Sequence, residues 1–82
     1  MLTHVWFLER HDDHLPIGIF TSLEKIDFFL QNETYGSVEE TKVSDEKYKY
    51  VGWYEGQVNE PPDFVYDAYK VKLDGFLEFP RT

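Results

Sequence analysis

The 82-residue chain has no cysteine, which excludes disulfide staples and thiolate metal sites at once. Basic residues are scarce: eight Lys and Arg stand against sixteen Asp and Glu, a formal net charge of −8. A phosphate backbone draws most of its non-specific affinity from cationic side chains, so direct nucleic-acid binding is not expected. Apolar runs are short. None approaches the ~20 residues of a membrane-spanning helix. Met1-Leu2-Thr3-His4 has no basic stretch leading into an apolar one, so no signal peptide is read and a cytoplasmic setting is expected. Internal repeats and low-complexity tracts are lacking. So are a phosphate-binding glycine loop, a nucleophile elbow and a zinc-protease helix, and no enzymatic activity is expected.

What the chain has is aromatic mass. Two Trp, six Tyr and seven Phe make up 18% of it. A domain of this size buries only roughly 60–65% of the surface its unfolded chain exposes. Without staples, its core must rest on large side chains, each aromatic burying ~150–250 Å². Fifteen aromatics exceed what one small core takes up. Some aromatic surface should therefore lie beside acidic surface, and excess acid favours basic protein partners.

Residues 1–82 read as a single α+β domain: a mainly antiparallel sheet of about four strands with one principal helix packed on one face. His4 to Glu9 is a first strand, apolar on both sides and hence central. Arg10 to Pro16 is a polar turn, and Ile17 to Phe20 a second strand. Thr21-Ser22-Leu23-Glu24 fits a capping box. Leu23, Ile26, Phe29 and Leu30 follow at helical spacing, predicting a helix over Ser22–Asn32 with Gly36 as a reversal point beyond it. Phe28 falls beside that stripe and should be partly exposed. Val38 to Val43 fits either a short strand or a helical turn, and Ser44 to Lys47 a solvated loop.

Tyr48 to Glu55 alternates with period 2, as a strand does. Pro61-Pro62 closes a loop that stops sheet pairing. Phe64 to Leu73 alternates again, and the face carrying Val65, Asp67, Tyr69, Val71 and Leu73 is read as facing the core. Asp74-Gly75 is a turn, with Phe76 to Phe79 a short final strand or a packed tail.

His11-Asp12-Asp13-His14 is the one cluster with metal-ligating chemistry. Four ligands on a single turn do not make the fixed frame that a metal site requires, so it reads as a polar hairpin tip. Adjacent acids such as Glu39 and Glu40 lack the pocket that separates carboxylate pKa values for catalysis. Lys47-Tyr48-Lys49-Tyr50 interleaves bases with aromatics as single-strand binders do. The surrounding negative charge turns that reading towards a protein contact, for which Tyr and Trp are good anchors.

Three stretches, Val5-Trp6-Phe7-Leu8-Glu9-Arg10-His11, Ile17 to Lys25 and Tyr66 to Asp74, resemble a family of small uncharacterised bacterial and phage domains (DUF7336-like). The shared plan is a strand ending in an acid and His, a Gly–hydrophobic–Ser/Thr–x–Glu–Lys lead into one helix, and a Tyr/Leu-rich closing strand. The resemblance covers roughly half of the chain. It implies the fold and supplies no catalytic residues. Tyr35 to Asp63 is longer than that plan requires, so the features particular to this protein are expected there.

The functional expectation is a non-enzymatic, acidic interaction module, needing no cofactor and binding no metal. It would come from a phage or other mobile element and inhibit a host protein with a basic surface, its carboxylates standing where phosphates would lie. Expected contact residues are Tyr48, Tyr50, Trp53 and Tyr54 with Glu39, Glu40, Asp45 and Glu46. Asp12, Asp13, Glu60 and Asp63 are further carboxylates of the same kind. The alternatives are a self-associating accessory domain, forming a homodimer through an uncovered sheet face, and an immunity protein to a toxin.

Overall fold

Seven segments carry regular structure in the computed structural model, which describes residues 2–34, 36–54, 58, 61–74 and 76–77. They are β1 (His4–Arg10), β2 (Pro16–Phe20), α1 (Leu23–Thr34), β3 (Ser37–Ser44), β4 (Lys47–Trp53), β5 (Phe64–Asp74) and β6 (Phe76–Leu77). The five longer strands form one antiparallel sheet in the order β2-β1-β5-β4-β3, with β6 paired to the far end of β5. The class is α+β with one helix. The sheet has five main strands rather than about four, because Ser37–Ser44 pairs with β4 along its length. Its side chains are mostly polar or charged, so backbone pairing to β4, not an apolar face, makes it a strand. Glu60, Gly75 and Phe79, to which the sequence gives roles, lie outside the described residues.

The helix starts one residue later than the Thr21 cap predicts. The Ser22 hydroxyl accepts from the Lys25 N–H at 3.3 Å, so Ser22 is the N-cap. The predicted stripe holds: Ile26 and Leu30 are buried, with Leu23 and Phe29 packed beside them. Each fully buried aliphatic of this kind contributes ~1.5–3 kcal/mol. Phe28 points outward and is 72% exposed.

The helix covers Trp6 and Leu8 of β1, Tyr50 of β4, and Phe64 and Ala68 of β5. This reverses the facing read for β5, whose Phe64–Tyr66–Ala68 side meets the helix. Small residues decide the matter. Ala68, fully buried, sits in the centre of the cluster beneath the helix. Gly52 leaves room for the Phe64 ring: a Cβ there would lie 1.8 Å from Phe64 Cζ. Hydrophobicity alternation carries no information on such fits.

Candidate partner-binding surface

β3 is an edge strand of the sheet, and its residues from Glu39 to Ser44 are all exposed. Glu39 lies opposite Val51 and Glu40 opposite Tyr50, so the two acids project to opposite faces of the edge. The turn that follows adds Asp45 and Glu46. Ser44 Oγ accepts from the Glu46 N–H at 3.2 Å, and Lys42 Nζ meets Asp45 Oδ1 at 2.8 Å. That contact lowers the Asp45 pKa and raises the Lys42 pKa, mainly through the hydrogen bond itself.

The four predicted aromatics separate. Tyr50 is fully buried, and its hydroxyl donates to Glu40 Oε2 at 2.7 Å. Burial first, and that bond second, raise the phenol's pKa. Tyr50 therefore acts from beneath the edge, fixing a surface carboxylate. Trp53 is 6% exposed and belongs to the interior. Neither can anchor a partner directly. Tyr48 is half-buried, its ring edge-on to Trp6 at 5.4 Å. Tyr54 alone is well exposed, at 51%, and stands at the other end of the strand.

Tyr54 joins a second set of residues. Its N–H donates to Asp63 Oδ2 at 2.7 Å, and the Asp63 N–H donates to the Gly52 carbonyl at 2.8 Å. These bonds pin the end of β4 to the start of β5. Tyr54, Phe64 and Tyr66 then form a row of tilted rings with centroids 5.9 and 5.2 Å apart. Arg10 lies opposite Tyr66 on β1, bound through Nε to Asp13 Oδ1 at 2.9 Å and through Nη2 to Asp13 Oδ2. The Arg10 hydrogen bond holds the Asp13 carboxyl at about 2, below its usual 3.8. With Asp12, these groups line a cleft of about 350 Å³. The acids Asp12, Asp13 and Asp63 are evident in the sequence, but their meeting with Tyr54 and Tyr66 depends on strand order.

Sequence reasoning missed a pairing on the opposite face. Glu9 and Asp67 are directly opposite each other on β1 and β5, and both are buried. The hairpin loop between β1 and β2 returns an imidazole to each: His11 Nδ1 lies 2.7 Å from Asp67 Oδ2, and His14 Nδ1 3.2 Å from Glu9 Oε1. Lys49 flanks Asp67 on its other side, in register on β4. His14 adopts φ 58, a left-handed conformation that is costly for a residue with a side chain. The hint in the sequence was an acid on each of two otherwise apolar strand faces. This arrangement ties the loop to the sheet. Among the described residues, no group of three or more His, Asp or Glu side chains could hold a metal ion. Nor is any described helix long and apolar enough to cross a membrane.

Comparison of the chain with protein-family models, with curated proteins and with solved structures gives no match.

Proposed function

We propose that this protein is a non-enzymatic, cytoplasmic interaction module that binds a host protein through a basic surface and inhibits it. A phage or mobile-element origin, suggested by the family resemblance, suits that role. The observation that carries the reading is the β3 edge: a strand that among the described residues pairs on one side only, bearing Glu39 and Glu40 and running into Asp45 and Glu46. An open edge offers backbone hydrogen bonds to an extended segment of a partner. Acids on both faces of the edge select for basic residues on that segment and speed its encounter. Five of the contact residues read from the sequence remain available for this role: Glu39, Glu40, Asp45, Glu46 and Tyr54. Tyr48 is half available.

The test is affinity capture from bacterial lysate at low and physiological salt, with wild type beside a Glu39→Lys/Glu40→Lys pair. The expected result is one dominant basic protein, held by wild type and lost by the charge-reversed pair. Recovery of nothing at low salt, or equal recovery by both proteins, would rule the edge out. Sedimentation of the isolated protein decides the homodimer alternative, since a concentration-dependent dimer would mean that a second copy covers a sheet face.

A further inference from the structure

Resting on that reading, we infer that the cleft beside Asp63 receives one arginine side chain of the partner protein. The walls and the charge of the cleft specify that chemistry. Tyr54 is half-exposed, Tyr66 is half-buried, and Phe64 lies between them as a buried floor. Aromatic faces at such a rim attract a cation through the ring quadrupole. The volume of about 350 Å³ is at the low end of ligand clefts, ~300–1,000 Å³, so it suits a side chain rather than a large cofactor.

Among the described residues, three carboxylates, of Asp12, Asp13 and Asp63, share the cleft with one guanidinium, that of Arg10. Arg10 is held along both edges of the Asp13 carboxylate. The remaining acids, Asp12 and Asp63, leave an excess of negative charge in the cleft. A second guanidinium answers it better than an ammonium does. It is planar, stacks on tyrosine, is less strongly hydrated and pairs bidentately with carboxylates. The Asp63 bonds to Tyr54 and Gly52 prepare the site in advance, lowering the ordering cost on binding.

The probe is a blocked Gly-Arg-Gly peptide, with its citrulline analogue as an uncharged isostere, titrated into isotope-labelled protein at physiological salt. Saturable shifts of Asp12, Tyr54, Asp63 and Tyr66 resonances are expected, with the citrulline peptide at least about tenfold weaker. Tyr54→Ala and Asp12→Asn should each weaken the arginine peptide severalfold, whereas Glu39→Gln/Glu40→Gln should not. Both cleft residues are exposed, so the fold should survive, and circular dichroism checks this. Equal binding of the two peptides, or shifts spread evenly over the acidic surface, would overturn the inference. If the cleft fails while partner capture still depends on Glu39 and Glu40, this inference alone is wrong. If capture fails as well, the broader reading falls with it.

Discussion

The two faces of this sheet use the same strands to different ends. Beneath the helix, Trp6, Leu8, Tyr50, Phe64 and Ala68 form an apolar core whose one buried hydroxyl is matched to Glu40. On the opposite face, Val5 and Val71 share the interior with Glu9 and Asp67, two acids side by side, each answered by a histidine from one loop. Like charges directly opposite on neighbouring strands repel. The first face is therefore built for stability. The second ties down the β1–β2 loop, and that loop supplies Asp12 and Asp13 to the cleft beside Arg10 of β1. The loop held by the second face thus reaches the end of the first, where Phe64 and Tyr66 stand.

The sharpest break in the comparison comes from truncation. Leu8→Ala should cost about 2–5 kcal/mol, the range for a buried leucine. Asp67→Asn should cost about 1 kcal/mol, since half-exposed His11 can turn to water. Urea unfolding of both variants is the check, and equal losses would mean that the two faces are energetically alike. Next is Gly52→Ala, which must displace the Phe64 ring and should cost about 1–3 kcal/mol as overpacking does. It should also perturb Tyr54 and Tyr66 in spectra. An unperturbed cleft would mean that Gly52 does not set the position of Phe64.

A smaller effect is expected at high pH. Burial raises the pKa values of Tyr50, Tyr66 and Tyr69 above the ordinary 10.0. Below pH 10 both folded and unfolded chains keep these phenols protonated, and stability is full. Above it the unfolded chain ionises first, so stability falls as pH rises. Melting temperature should hold steady up to about pH 10 and then drop, and Tyr50→Phe should soften the drop. A flat profile to pH 12 would show the three phenols to be ordinary. The smallest effect concerns Arg10 and Asp13, both exposed. Asp13→Asn should leave the melting temperature unchanged, as surface ion pairs usually do. The Asp13 carboxyl should titrate at about 2 by carbon-detected NMR and return to the ordinary range in Arg10→Gln.

Much of this architecture is legible in the sequence, and the exceptions have physical causes. The helix stripe, β4 and β5 follow from periodicity, and β1 and β2 from short runs rich in aromatic and branched residues. The edge strand β3 does not, because backbone pairing holds it and its side chains are free to be polar. The facing of β5 turned on Ala68 and Gly52, whose value lies in being small, a quality that hydrophobic pattern counts against them. At the candidate surface, Glu39, Glu40, Asp45 and Glu46 are exposed as the sequence suggests, because acids outside a core need nothing from the fold. Tyr50 and Trp53 misled because a buried aromatic and an anchoring one have the same composition.

The position of β5 in the sheet also sets how the chain reaches its native state. β1–β2 and β3–β4 are local hairpins, but β5 comes after all four and lies between them, joining β1 on one side and β4 on the other. Such non-local pairing slows folding towards milliseconds to seconds. Trp6 on β1 and Trp53 on β4 flank the gap that β5 fills, so tryptophan fluorescence should follow its arrival in stopped-flow refolding. Ala68→Gly is expected to slow that phase; a change confined to unfolding would put the docking of β5 after the barrier. An isolated two-stranded hairpin is barely stable in water. The acidic edge, although among the described strands it pairs with β4 alone, therefore becomes a lasting surface only when the middle of the sheet is complete.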